Sequence, residues 1–485
     1  MPGEEKSKNA GEGTEKMAEL LFNYDNALFS KVGKDGIAVG DIDAKAGKAA
    51  LAAFRPRVED GTIGFPLMPD ATKAAAEIMA YADTLRGEVD HILLVGIGGS
   101  ALGAYALDIA LRGPHPIQTP WGGAKKAAPQ MVVLDNVDPG VVAAALENLD
   151  PKRTAIVVIA KSGGTAETLS TFLIAYEWLQ HGTPKGMPGK HSGLSKSKAR
   201  QRVIAVTDEH KGDLLAAAKQ EKWKTFFVPG NVGGRFSVFS PVGLVPAALA
   251  GFDIVKLLKG AKKANKACWS EDLTVNKALA SALIHYALDV KKGKKTEVVF
   301  SYSSYLWGSA FWYRQLWAES LGKRVDRQGK VIECGQTPVA ALGVTDQHSQ
   351  VQLYIEGPRD KMFTFWSVAK PRVDLKIPKE FSHLDAFGFL GGKKLNQLFE
   401  AERIATQAAL AEYGRPSISW VLPSLDEFAI GEFFQTMEFQ TAFAGELYGI
   451  DAFDQPGVEL GKKLTYGLLG RKGFEEYAAR FPKSK

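Results

Sequence analysis

Two short apolar runs, each ending in a glycine-rich turn, constrain this chain more than any other feature. His91-Ile92-Leu93-Leu94-Val95 runs into Gly96-Ile97-Gly98-Gly99-Ser100, and Thr154-Ala155-Ile156-Val157-Val158-Ile159-Ala160 runs into Lys161-Ser162-Gly163-Gly164-Thr165-Ala166-Glu167-Thr168. A helix-like apolar stretch follows each turn, residues 101–111 after the first and a run through Trp178 after the second. Uninterrupted apolar strands, without polar alternation, are buried on both faces, and the order strand, turn, helix is that of a parallel sheet covered by helices. Residues 131–134, 203–206 and 226–228 read as further buried strands of the same sheet.

The second half repeats the theme. A lysine-rich helical stretch at 255–266 and a helix at 275–290 lead to a strand at 297–302 and a helix at 306–321. Strand-like runs are expected at 351–355 and 362–366, and amphipathic helices at 398–413 and 430–447. The expected fold class is therefore α/β: two doubly wound, mainly parallel-sheet units, each a three-layer α/β/α sandwich, with a helical C-terminal region. A chain of 485 residues has ample length for two such cores. The expected divisions are a disordered tail at 1–16, a helical extension at 17–70, a first unit at 71–250, a connection at 251–273, a second unit at 274–450 and a C-terminal helix at 451–485. The Gly-, Pro-, Ser- and Lys-rich residues 182–200 read as a surface loop.

A formal charge of +6 spread over 60 basic and 54 acidic residues describes a mixed surface that suits anionic metabolites and not nucleic acid. Cys268 and Cys334 are the two cysteines, too few for a disulfide framework and in no metal-ligand spacing. That usage favours a reducing compartment, hence the cytoplasm. The polar opening residues lack the apolar core of a secretory leader, and no apolar stretch reaches membrane-spanning length, so no membrane role is expected.

Glycine turns at helix starts present unpaired backbone N–H groups, to which the hydroxyls of Ser100, Ser162, Thr165 and Thr168 add donors; the ligand such a site expects is a phosphate. A lone turn of this type serves equally well as an ordinary N-cap, and two in one chain tip the balance toward anion binding. Gly96 to Ala101 also matches a short dinucleotide fingerprint, but no acidic residue closes the next strand at the required distance, because Asp135 comes too late. Gly233-Gly234-Arg235-Phe236-Ser237 sets an arginine in a tight turn before an apolar helix; alone, it reads as a structural ion-pair partner. Glu319, in Trp317-Ala318-Glu319-Ser320-Leu321-Gly322-Lys323, follows Trp312 by seven residues and Leu316 by three, toward the same apolar helix face. A carboxylate there is partly desolvated, the setting of a general base; an exposed pair with Lys323 is the competing reading. His348, in Thr345-Asp346-Gln347-His348-Ser349-Gln350, is of the type best suited to proton transfer near neutrality. Lys462 beside Lys463 reads on its own as a solvated helix face.

Taken together, the two glycine turns, Gly233-Gly234-Arg235, Glu319-Ser320-Leu321-Gly322-Lys323 and Phe453-Asp454-Gln455-Pro456-Gly457-Val458-Glu459-Leu460-Gly461-Lys462 resemble, in order and from Gly96 to Lys462, the motifs of the glucose-6-phosphate isomerase (phosphoglucose isomerase) family. The resemblance implies two sugar isomerase (SIS) domains and a reversible aldose–ketose isomerisation of D-glucose 6-phosphate and D-fructose 6-phosphate, in glycolysis and gluconeogenesis. It implies a hexose 6-phosphate held by Gly99, Ser100, Lys161, Ser162, Thr165, Thr168 and Gln455. Glu319 would carry a proton between carbons 1 and 2 through a cis-enediol that Arg235 stabilises, with His348 and Lys462 opening the sugar ring. No metal or organic cofactor is implied. A homodimer is, with His348 contributed across the subunit boundary. Two departures stand out: Ala160 where many relatives place a serine, leaving one phosphate contact absent or replaced, and Asp346-Gln347-His348-Ser349 in place of the common Gly-Gln-His-Ala. A broader isomerase that also accepts mannose 6-phosphate, and a noncatalytic sugar-phosphate-binding regulator, are the alternatives to this reading; a dehydrogenase would need the missing ribose-binding acid.

Overall fold

The computed structural model describes residues 19–114, 128–183 and 191–482. The expected disordered tail, 1–16, and residues 184–190 of the expected surface loop lie outside the described residues. Two five-stranded sheets organise the chain. The first is wholly parallel, in the spatial order Gln130–Leu134, His91–Val95, Thr154–Ala160, Val203–Thr207 and Lys224–Phe227. The strand order reverses between His91–Val95 and Thr154–Ala160, so both glycine turns leave the carboxyl ends of adjacent strands at the place where an open α/β sheet forms its ligand crevice.

The second sheet runs Leu21–Asn23, Ser417–Leu422, Lys361–Val368, Thr296–Tyr302 and Thr337–Leu342. Its last four strands are parallel, and Leu21–Asn23 joins antiparallel at the edge. The stretch expected as a helical extension therefore also supplies a strand, and its helix Ala44–Glu59 packs on the long helix Glu427–Tyr448.

Residues 351–355, expected as a strand, form the helix Val351–Glu356. Val351, Tyr354 and Ile355 share one face at helical spacing and pack into the second core, while Leu353 stays exposed. The three- and four-residue period outweighs the β-propensity of the individual residues. A second correction concerns 430–447: helix Glu427–Tyr448 is buried on all sides, not on one stripe. It runs between helices Ile254–Cys268, Lys277–Lys292, Ala44–Glu59 and Trp307–Leu321. Glycines allow the closest crossing: a Cβ on Gly260 would lie 1.9 Å from the Phe428 carbonyl oxygen, and one on Gly431 would lie 2.0 Å from that of Leu257. Trp312 stacks on Phe434 at 4.4 Å, tying the helix that carries Glu319 to this central rod. The same helix lies against Leu102–Arg112, the helix that follows the first glycine turn. No helix of the described residues is long and apolar enough to cross a membrane.

Glu438 is a fully buried carboxyl inside the rod. Among the described residues neither of its carboxyl oxygens has a hydrogen-bond partner, and burial pushes its pKa well above the usual carboxylate range. A carboxyl protonated when folded but ionised when unfolded makes stability fall as pH rises above the unfolded value, by about 1.4 kcal/mol per pH unit. Glu438→Gln is expected to remove that slope. Between about pH 6 and about pH 8 its urea midpoint should fall less than that of the parent chain, and identical pH dependence would show that Glu438 is not held neutral.

Candidate active site

The first glycine turn is a single 3-10 turn, Gly98–Ser100, feeding helix Leu102–Arg112, whose N-terminus has no side-chain cap. Gly99 is fixed by space: an added Cβ would lie 2.3 Å from the backbone carbonyl of Gly234, so this turn and the Gly-Gly-Arg turn touch main chain to main chain. At the second turn, Thr165 precedes helix Ala166–His181 without capping it through its side chain. The Ser162 and Thr165 hydroxyls sit 3.3 Å apart, and the buried Thr168 hydroxyl has no partner among the described residues. Two uncapped helix starts with hydroxyls at hand, one of them orphaned, form a setting for an anion. Lys161 points elsewhere: its ammonium donates to the carbonyl oxygens of Gly230 at 2.8 Å and Val232 at 2.7 Å.

Arg235 is 4% exposed and spends its donors on two parts of the chain, Ser320 and residues 452–455. Nε donates to Ser320 Oγ at 2.7 Å; Nη2 donates to the carbonyls of Ala452 at 2.6 Å and Asp454 at 3.0 Å; Nη1 donates to Gln455 Oε1 at 3.1 Å. Nη1 also lies 3.6 Å from Glu319 Oε1. Burial lowers the arginine's pKa, against which the charges of Glu319, Asp454 and Asp451 act.

The Glu319 side chain is one-quarter exposed, so one flank of the carboxylate is open. Its Oε2 accepts from Gln315 Nε2 at 3.0 Å. Gln315 in turn faces the first glycine turn, where a Cβ on Gly98 would meet its Nε2 at 3.0 Å. The competing pair with Lys323 does not form: Lys323 Nζ donates to the backbone oxygens of Glu319 and Ser320, both at 2.8 Å, and caps the end of the helix. Burial, aided by nearby Arg235, lowers the Lys323 pKa.

The structure thus brings together Gly99, Arg235, Glu319 and Gln455, with the second turn joined through Lys161. Among the described residues no hydrogen bond or ion pair joins His348 or Lys462 to that cluster. His348 is exposed at the end of the 3-10 turn Thr345–Gln347, and among the described residues no hydrogen bond or ion pair connects it to the Arg235–Glu319 cluster. Its neighbours are well held, since Asp346 accepts from the Leu342 N–H and the Ser349 hydroxyl while Gln347 donates to Glu402. Lys462 makes an exposed 2.7 Å bond to Glu459 on helix Glu459–Leu468; that helix reaches the second turn through Tyr466, whose hydroxyl lies 3.3 Å from the Gly164 carbonyl oxygen. Gln315 and the ligating role of Ser320 were missed in sequence. The one available signal was position, since Gln315 lies one turn before Glu319. Among the described residues no three His, Cys, Asp or Glu side chains gather in a metal-binding group.

The Phosphoglucose isomerase family profile matches residues 68–481. A glucose-6-phosphate isomerase of Carboxydothermus hydrogenoformans is 42% identical over 462 residues, covering 94% of this chain and 96% of its own. One from Thermus thermophilus is 40% identical over 410 residues, covering 84% and 91%. Among solved structures, a hypothetical protein of Thermus thermophilus superposes with a TM-score of 0.78 at 37% identity, over 93% of this chain and all (100%) of that one. A glucose-6-phosphate isomerase of Chlamydia trachomatis shares the fold, with a TM-score of 0.71 at 24% identity over 85% and 74%. With the family profile spanning most of its length and relatives of this identity covering nearly all of it, the chain belongs to the phosphoglucose isomerase family.

Proposed function

We propose that the chain is an aldose–ketose isomerase that interconverts D-glucose 6-phosphate and D-fructose 6-phosphate, a step of glycolysis and gluconeogenesis. The observation that carries this reading is the approach of Arg235 to 3.6 Å from the one-quarter-exposed Glu319 side chain, with two uncapped helix starts at the glycine turns. In it, Ser100, Ser162, Thr165 and Thr168 and the backbone of both turns hold the phosphate, with Gln455 alongside. Glu319 takes the C2 proton of the open-chain aldose and the electron pair moves into a cis-enediol; the proton returns to C1 while a proton passes from the C2 hydroxyl to the C1 oxygen, leaving the carbonyl at C2. Arg235 stabilises the negative charge that develops on the enediol oxygens; being already fixed by four hydrogen bonds, it needs no reorganisation at that moment. Phosphate binding far from the reacting carbons holds them against the base, which is where remote binding energy accelerates a reaction.

Ring opening needs a proton donor and acceptor near the ring oxygen, and we assign these to His348 and Lys462. Among the described residues no hydrogen bond or ion pair links either of them to Glu319, and we infer a homodimer in which the partner's His348 completes the site. A strip of exposed apolar side chains, Leu375, Phe381, Leu384, Phe387 and Phe389, supports a surface of this chain that a second copy covers. Both cysteines are free, in keeping with a cytoplasmic setting.

Purified protein in EDTA is expected to convert fructose 6-phosphate to glucose 6-phosphate, with mannose 6-phosphate turned over far more slowly. Glu319→Gln, with its fold intact by circular dichroism, should lose about 100-fold or more in kcat, the usual weight of a general base. Unchanged kcat in that variant would remove Glu319 from the reaction, and phosphosugar binding without wild-type turnover would favour a regulator. For the shared site, Glu319→Gln and His348→Ala chains, each nearly inactive, should recover about a quarter of wild-type activity when unfolded and refolded as a mixture, because hybrid dimers hold one intact site. No recovery in mixtures shown to contain hybrids would place His348 in the same subunit's site.

A further inference from the structure

We propose that Lys161 is a positioning residue that couples phosphate binding in the second glycine turn to the placement of Arg235. Its position in the motif makes it a candidate phosphate ligand, but its ammonium is engaged by main-chain carbonyls of the segment that precedes Arg235. Two of its three N–H donors go to the carbonyl oxygens of Gly230 and Val232. Those residues open the segment that ends, three residues after Val232, in Arg235.

The connection is short. Lys161 begins directly after strand Thr154–Ala160, and Ser162, Thr165 and Thr168 follow it within seven residues. Gly163, at φ +69°, is pressed so closely on Gly212 that a Cβ would lie 2.6 Å from the Gly212 Cα, which limits the paths the turn can take when an anion settles into it. On the other side, Asn231 is fixed between the two carbonyls that Lys161 holds: its backbone oxygen accepts from Gly64 N–H at 3.0 Å, and its side-chain amide donates to the Gly61 carbonyl at 2.9 Å. The Gly234 carbonyl then meets Gly99 of the first turn. Arg235 is thus carried on a segment clamped by the second turn through Lys161 and by the first through Gly99. Burial lowers the Lys161 pKa, as for an ammonium withdrawn from water and held by neutral carbonyls.

A direct ligand and a tether give opposite results when the ammonium is removed. Loss of a ligand weakens phosphate binding; loss of a tether leaves binding and breaks its communication with Arg235. The coupling rests on the reading that the second turn binds phosphate, and hydrogen–deuterium exchange with inorganic phosphate tests it apart from turnover. In the wild-type chain, saturating phosphate is expected to slow exchange in 161–168 and also in 229–236. In Lys161→Met, calorimetry should give a phosphate Kd within about threefold of wild type. Protection of 161–168 should remain and that of 229–236 disappear. With fructose 6-phosphate, kcat should fall about 10- to 100-fold while KM stays within about threefold. A Kd weakened about tenfold or more, with protection of 229–236 retained by what phosphate binds, would make Lys161 a ligand and overturn the tether. The wild-type experiment decides even if Lys161→Met does not fold, since no phosphate-dependent protection of 229–236 overturns the coupling by itself. Intact protection with no wild-type isomerisation supports the tether and counts against the isomerase reading alone.

Discussion

The buried guanidinium of Arg235 is the constraint on which the rest of the site depends. A cation almost wholly withdrawn from water costs several kcal/mol unless its donors are satisfied and an opposite charge stands near. The chain meets that demand by bringing to one point a hydroxyl from helix Trp307–Leu321, two carbonyls and an amide oxygen from residues 452–455, and the carboxylate of Glu319. Segments more than two hundred residues apart in sequence are held in one register by one side chain. The same bonds that make the cation tolerable in the interior also leave it preorganised for charge on a substrate.

That cation would have nothing fixed to act with if the helix bearing Glu319 could shift. A buried carboxyl group and its hydrogen-bond partners hold it. Glu297, on strand Thr296–Tyr302, accepts from the Tyr313 hydroxyl at 3.1 Å and the Thr364 hydroxyl at 2.7 Å, and lies 2.8 Å from His285 Nε2. Gln440 of the central helix donates to the Tyr313 hydroxyl at 2.9 Å. Two turns of helix separate Tyr313 from Glu319, so the carboxylate is positioned by a polar cluster on the sheet side and by Trp312 against Phe434 on the helical side. Such a base stands on a rigid element, where a small misplacement is costly and is therefore resisted.

How much of this was legible in sequence follows from how local each signal is. The glycine turns announced themselves because strand, turn and helix are contiguous, and the φ of +56° at Gly98 and the crowding at Gly99 are why those positions are glycine. Strand Ser417–Leu422 was not read, because a six-residue run, buried at all but Val421 and next to two helices, carries no period of its own. Strand Leu21–Asn23 escaped for a different reason: with three residues, it is a strand only because Ser417–Leu422 offers an edge. Residues 351–355 misled because β-branched and aromatic residues suggested extension while their spacing already fitted one helical face. Arg235 and Glu319 could be singled out as candidates, but their 3.6 Å approach depends on the packing of two sheets and is not encoded in either neighbourhood.

Position 160 bears on how the proposed anion site is built. Ala160 is buried, and its carbonyl accepts the Thr207 hydroxyl at 2.8 Å, so that hydroxyl is spent on joining neighbouring strands and does not replace a serine. The Thr168 hydroxyl is placed differently, buried one turn into helix Ala166–His181 with no partner among the described residues. An orphaned buried donor is costly in the empty site and is relieved when an anion arrives, so its penalty converts into affinity for the bound state. Main-chain N–H groups at the two helix starts supply the remaining donors whatever side chain stands at 160. On the proposed reading, anion recognition in this chain resides chiefly in backbone geometry, which the glycines and Lys161 hold, and a different side chain at the strand end leaves that geometry in place.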